Sequence, residues 1–163
     1  MSQTPVPQQK YAQSGLNSVL VALGAGDTER VERLAAEAVD IAGPAGATVV
    51  IGHVFTKDEF TSRVDARGFD RDTVAVDDVA RRHSAVRELA ARLDEAGVDY
   101  EVHGAIGDYG EKVVTLAETL GSDMVLVGGR KRSPTGKAVF GSVAQDVMLS
   151  APCPVTFVRA DTN

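Results

Sequence analysis

The apolar residues of this chain fall into five short runs, rich in Val, Leu and Ile, that alternate with longer segments of mixed polarity. Each run is bounded by glycine, proline or charged residues, which is typical of strands that end at turns. The third run alternates polar and apolar residues, so we expect it toward an edge of a sheet. The predicted strands are Ser18–Leu23, 47–55, 98–106, 123–127 and Val155–Arg159.

The segments between these runs carry apolar residues at helical spacing. We predict that Asp27 caps a helix with apolar positions Val31, Leu34, Ala35, Ala38 and Ile41, and that Gly43, Pro44 and Gly46 end it. Further helices are predicted over 79–96, from the turn at 107–110 to Leu120, and from Gly141 and Ser142 to Leu149. The stretch 56–77 is dense in charge and irregular, and we interpret it as a mobile connection, with a short helix as the alternative.

Regular alternation of strands and helices predicts a mostly parallel sheet with right-handed crossovers and helices on both faces. The fold class is therefore α/β: a doubly wound, Rossmann-like, five-stranded parallel sheet. No repeat, linker or low-complexity block divides the chain. Residues 1–15, rich in Gln and Pro, are predicted to be a flexible tail, and residues 16–160 a single domain.

Composition narrows the class of protein. The chain has 163 residues, 44% of them apolar, which suffices for one continuous core. No apolar run approaches the roughly 20 residues that span a bilayer, and no secretory signal opens the chain. A net charge of −6 argues against a nucleic-acid partner. The single cysteine, Cys153, predicts a reducing, cytoplasmic location and is expected to be a packed thiol.

Ligands of doubly wound sheets bind beyond the carboxyl ends of the strands, where the strand order reverses. The segment from Gly128 to Ser142 lies at that edge and carries Arg130, Lys131, Arg132 and Lys137, with no acidic residue between Asp123 and Asp146. Glycines, basic side chains and a helix N-terminus together favour a phosphate-binding loop. A solvated basic turn, or one that contacts acidic residues of a partner subunit, is the alternative. Neither a Walker A loop nor a dinucleotide fingerprint is present.

These residues resemble the C-terminal signature of the universal stress protein family. The similarity rests on the Gly128 loop, on Gly141 and Ser142, and on the segment 151–155, with support from the first strand, from 52–54 and from 107–108. The resemblance implies a sheet of order 3-2-1-4-5, homodimers and ATP binding, with Mg²⁺ arriving on the nucleotide. With the cations of the basic loop added, the predicted nucleotide-binding residues are Ala22, Gly24, Val54, Gly128, Arg130, Lys131, Gly141, Ser142 and Val143.

The chain departs from the family pattern at two positions. Lys131 replaces the second glycine of the phosphate loop, and Gly24 stands where ATP-binding relatives have an aspartate that contacts the nucleoside. Two readings remain open: a nucleotide-binding stress-response dimer without a dedicated catalytic site, or a dimer that has lost nucleotide binding and acts through protein contacts. A slow ATPase is a further alternative, and the lack of an evident acid–base pair in the sequence argues against it.

The histidines and Asp108 are predicted to have structural roles in packing and helix capping, with no role in ligand binding. His53 is expected to be packed or at the solvent edge, His83 to lie on a helix surface, and Asp108 to cap the following helix. The three histidines lack metal-ligand spacing, so no resident metal is predicted. The strand Val155–Arg159 is expected at a sheet edge, where Val155 to Val158 would pair with a second copy unless the N-terminal tail covers them.

Overall fold

A computed structural model describes residues 15–70, 72–129 and 142–159, with 142 and 143 described by their backbone alone. Its five strands form one parallel sheet of order β3-β2-β1-β4-β5, which confirms the predicted architecture. The central strand β1 aligns Val21 with Ile51 on one side and Leu126 on the other. The strands are β1 (Ser18–Leu23), β2 (Thr48–Phe55), β3 (Tyr100–Ile106), β4 (Met124–Gly129) and β5 (Val155–Arg159).

Helices cover both faces of the sheet. A short 3₁₀ helix (Ala25–Arg30) leads into the helix α1 (Val31–Ala45), and the others are α2 (Lys57–Ala66), α3 (Val76–Arg81), α4 (Ser84–Glu95), α5 (Tyr109–Leu120) and α6 (Ser142–Ser150). Helices α1 and α4 bury one face of the sheet, while α5 and α6 bury the other. Cys153 packs against the second of these clusters, as expected. Within the ranges that the structure describes, no helix is long and apolar enough to cross a membrane.

The first helix differs from its prediction at both ends. It runs through Gly43 and Pro44 and ends only at Gly46, whose φ of 67° is the left-handed conformation that glycine adopts most easily. Its N-terminal cap is not Asp27, because the 3₁₀ helix comes first and Asp27 lies inside it.

The stretch 56–77 was predicted as a mobile connection, and this is wrong, since it contains α2 and the start of α3. A reciprocal capping box begins α2: the Thr56 hydroxyl accepts the Glu59 N–H at 3.1 Å, and the Glu59 carboxylate accepts the Thr56 N–H at 2.7 Å. The predicted continuous helix 79–96 is also interrupted. His83 is extended there, with ψ of 136°, and its ring Nδ1 accepts the Ala85 N–H at 3.1 Å as the cap of α4.

Helix α3 packs against the outer edge of β3, the edge strand that the alternating pattern predicted. The Asp77 carboxylate accepts the backbone N–H of Gly104 at 2.7 Å. The fit at Gly104 is so close that an added Cβ would lie 2.6 Å from the Val76 carbonyl oxygen. The start of α3 therefore covers the middle of this edge.

Candidate functional site

A cleft opens at the carboxyl ends of β1, β2 and β4, between the 3₁₀ helix and the start of α2. It encloses about 290 Å³ and is lined by Gly24, Ala25, Gly26, Asp27, Arg30, Val54, Thr56, Glu59, Gly107, Tyr109 and Gly128. Strands β2 and β4 flank β1, and the chain leaves the sheet in opposite directions at this point. This switch point is where doubly wound folds bind ligands.

The polar centre of the cleft is an ion pair between Asp27 and Arg30. An Asp27 oxygen accepts from Arg30 Nη1 at 2.6 Å, and the second oxygen accepts the Gly24 N–H at 2.8 Å. Their side chains are only 6% and 19% exposed. Burial raises the pKa of Asp27, while the hydrogen bonds from Gly24 and Arg30 oppose this rise. The two hydrogen bonds and the charge of Arg30 therefore offset part of the cost of burying the Asp27 carboxylate.

Gly128 lies directly against this pair. A Cβ added at Gly128 would be 3.0 Å from Arg30 Cδ and 3.1 Å from Asp27 Oδ1. The absence of a side chain therefore lets the ion pair pack directly against the β4 backbone at the first glycine of the predicted phosphate loop. Gly128 belongs to β4 in the structure rather than to a loop.

Tyr109 closes the other side of the cleft. Its hydroxyl donates to the carbonyl oxygen of Ala22 at 2.9 Å, and burial raises its pKa. A Cβ added at Gly24 would lie 2.9 Å from two carbons of the Tyr109 ring. The ring therefore occupies the direction in which a side chain at position 24 would project, where the family resemblance implies an aspartate.

The predicted site residues divide into three groups. The structure brings Gly24, Val54 and Gly128 together in the cleft, whereas Ala22 is fully buried beneath it and presents its carbonyl to Tyr109. Ser142 and Val143 begin α6. Arg130, Lys131 and Gly141 lie outside the described residues, so their roles remain predictions.

Sequence reasoning missed Arg30 and Tyr109 as lining residues. Arg30 follows Asp27 at a spacing of three, which in hindsight is a signal for a local ion pair. Tyr109 follows Asp108, which caps α5 as predicted by accepting the Glu111 N–H at 3.0 Å.

Two histidines lie outside the cleft and are buried. His53 is packed as expected, at 1% exposure, but His83 was predicted to be on a helix surface and is only 5% exposed. Their ring centroids are 4.1 Å apart. Position 83 is buried because the break before α4 turns it inward onto β2, which helical spacing alone does not reveal. Among the described residues, no group of three or more His, Cys, Asp or Glu side chains is placed to hold a metal ion.

A larger groove of about 740 Å³ lies between α4 and β3, on the outer side of the sheet. Its lining mixes both signs of charge, with Arg81 and Arg87 opposite Asp77, Asp94 and Glu101. It is remote from the carboxyl ends of β1 and β4. Location in the fold therefore favours the smaller cleft as the functional site.

The open doubly wound sheet and the cleft at its switch point define a Rossmann-like α/β protein. Comparison of sequences identifies the family: residues 16–159 match the Universal stress protein family, and the chain belongs to it. A universal stress protein of Mycolicibacterium smegmatis is 34% identical over 79 residues, which are 48% of this chain and 61% of that protein. The similarity thus spans less than two thirds of that relative's length.

Solved structures of the family share the fold. A universal stress protein in complex with cAMP superposes with a TM-score of 0.64 and 20% identity, over 90% of this chain and 98% of that one. A universal stress protein family protein from Arabidopsis thaliana with AMP bound gives a TM-score of 0.61 and 16% identity, over 90% and 93%. At these identities the likeness establishes the fold.

Proposed function

We propose that this protein binds an adenine nucleotide in the cleft between β1, β2 and β4 and acts as a nucleotide-dependent stress-response protein. The proposal rests on one observation: three features lie together in the cleft at the switch point of the sheet. These are an apolar wall at Val54, the Asp27–Arg30 ion pair, and the side-chain-free backbone of Gly128. Apolar walls with a few convergent polar groups are characteristic of small-molecule sites.

The family and two of its solved structures support the choice of an adenine nucleotide as the ligand. The sequence resemblance implies ATP, with Mg²⁺ carried by the nucleotide, whereas the two neighbours described above hold cAMP and AMP. All three ligands share adenine, ribose and at least one phosphate. The proposed role is binding, without a dedicated catalytic site.

Isothermal titration with ATP and Mg²⁺, AMP and cAMP tests this proposal. We expect at least one to bind, and Gly128→Val to weaken its binding about tenfold or more, because the added side chain collides with Arg30 and Asp27. Ala36→Val, on the exposed outer face of α1, adds similar volume away from the cleft and should leave affinity unchanged. Silence with all three nucleotides would refute the proposal.

One observation favours a second candidate function. The Tyr109 ring closes the space above Gly24, so the carboxylate that relatives place at this position has no room here. If the titrations detect no nucleotide binding, we infer instead that this protein acts through protein contacts alone.

In either role we propose a homodimer through β5. The Val125 N–H donates to the Pro154 carbonyl at 3.0 Å, and backbone groups alternate in direction along a strand, so those of Val155 face away from β4. A second β5 could pair with this edge.

Light scattering after size exclusion should therefore give a dimer for the unmodified chain and a monomer for Val155→Pro, which removes an edge N–H. Val155→Ala retains that N–H and should remain dimeric. A monomeric unmodified chain at micromolar concentration would contradict the dimer proposal.

A further inference from the structure

The Asp27–Arg30 pair is placed where a ligand would have to meet it. Arg30 ends the 3₁₀ helix and directs its side chain across the cleft toward Gly128, where its Cδ lies 3.0 Å from an added Cβ. Asp27 reaches the same point from one turn earlier. The pair therefore lines the cleft at its β4 side, packed against the backbone of Gly128.

The two partners differ in how firmly they are held. Asp27 is bound twice, by the Gly24 N–H through one oxygen and by Arg30 through the other, and it is nearly fully buried. Arg30 is the more exposed partner, and its planar guanidinium has five N–H donors. Hydrogen bonding to one carboxylate oxygen uses a minority of that capacity. Arg30 is thus the member of the pair able to take a second anionic partner.

We propose that Arg30 is a phosphate-binding residue of this cleft and that a nucleotide phosphate becomes its second partner, while Asp27 remains bound to Arg30 Nη1. The inference rests on the proposed nucleotide site and adds the residue that gives the site its preference for phosphorylated ligands. Guanidinium and phosphate form charge-assisted, bidentate hydrogen bonds, and the N–H donors that Asp27 leaves unused can supply them. Asp27 orients Arg30 across the cleft before the ligand arrives.

Titrations with AMP and adenosine separate the phosphate contact from the rest of the site. We expect Arg30→Gln to weaken AMP binding about 10- to 100-fold, while adenosine affinity changes less than about twofold. Arg33→Gln is the matched control, because Arg33 lies on α1 one turn further along, is 60% exposed and pairs with Glu37. It removes the same net charge and should leave both affinities unchanged.

Arg30→Gln leaves the buried Asp27 carboxylate without its cation, so two further variants guard against loss of fold. Arg30→Lys keeps the charge without the planar fork and should bind AMP with intermediate affinity. The double change Asp27→Asn with Arg30→Gln removes both charges and should show the same selective loss for AMP. Equal loss of AMP and adenosine, or no loss of either, would overturn the role of Arg30 alone. Absence of AMP and adenosine binding in the unmodified protein would instead overturn the nucleotide site itself.

Discussion

Replacing His53 by leucine is expected to make the protein markedly less sensitive to acid. His53 and His83 lie together in the core, and both ring nitrogens of His53 are buried without a hydrogen-bond partner in the part of the chain that the structure describes. Burial lowers the pKa of His53 to about 3, helped by the neighbouring His83 and Arg63. Burial also lowers the pKa of His83 to about 4, with Arg63 contributing.

The direction of the pH dependence follows from these shifts. Both pKa values are lower in the folded state than the ordinary histidine value of 6.5, so below that pH the unfolded chain binds more protons than the folded one. Stability is complete above pH 6.5 and falls as the pH drops toward 4 and 3. Protonation of His83 at Nδ1 would also remove the acceptor that caps α4. Each histidine should cost about 2 kcal/mol between about pH 7.5 and about pH 5.

Urea unfolding of His53→Leu at these two pH values measures the effect. The free energy of unfolding of the variant, relative to the unmodified chain, should rise by about 2 kcal/mol from the higher to the lower pH. Phe55→Leu is the control, because it removes a ring 4.4 Å from His53 but keeps both histidines. Its destabilisation should be the same at both pH values. If the free energy of unfolding of His53→Leu differs from that of the unmodified chain by the same amount at both pH values, His53 is not held neutral in the folded protein.

The second large effect is a loss of folding stability on replacing Gly104 by alanine, at the contact between β3 and α3. An alanine Cβ would lie 2.6 Å from the Val76 carbonyl oxygen and 3.0 Å from Val76 Cγ2. The nearest obstacle is main chain, which the Asp77–Gly104 hydrogen bond ties to the strand, so it cannot rotate away as a side chain would. Forced overpacking of this kind costs about 1–3 kcal/mol, and the loss of the Asp77 contact adds to it.

Chemical unfolding of Gly104→Ala should show this loss, and two comparisons sharpen the result. Adding Val76→Ala removes Cγ2 but leaves the carbonyl, so it should not restore stability. Gly26→Ala places its Cβ 3.5 Å from Arg30 Nη1, an ordinary contact, and should stay within about 0.5 kcal/mol of the unmodified chain. Full rescue by Val76→Ala would contradict a main-chain collision.

The sheet could be predicted from sequence because its signals are local. The run Ser18–Leu23 is apolar after its first residue and bounded by a turn, and the structure reproduces its bounds. Gly24, Val54 and Gly128 meet for a related reason, since the carboxyl ends of adjacent parallel strands share one edge of the sheet. The strand order came from the family resemblance rather than from the pattern.

The errors arose where long-range contacts decide the structure. His83 is polar and lies within a helical pattern, yet it stands at a break before α4 and packs there against His53 on β2. Charge and irregular spacing concealed α2, although the pair Thr56 and Glu59 is a recognisable helix start. The sequence did not predict Tyr109 as a lining residue of the cleft. Its position there accompanies a hydrogen bond to the Ala22 carbonyl, a contact between residues distant in sequence.

The contact between Asp77 and Gly104 also restricts how copies of this chain can assemble. A sheet with two accessible edges can add molecules at both sides and grow into a fibre. Here α3 blocks strand addition at the middle of one rim, which leaves β5 at the opposite rim. When two copies pair through β5, each covers the accessible sheet edge of the other, so no further copy can add a strand and the assembly is a dimer.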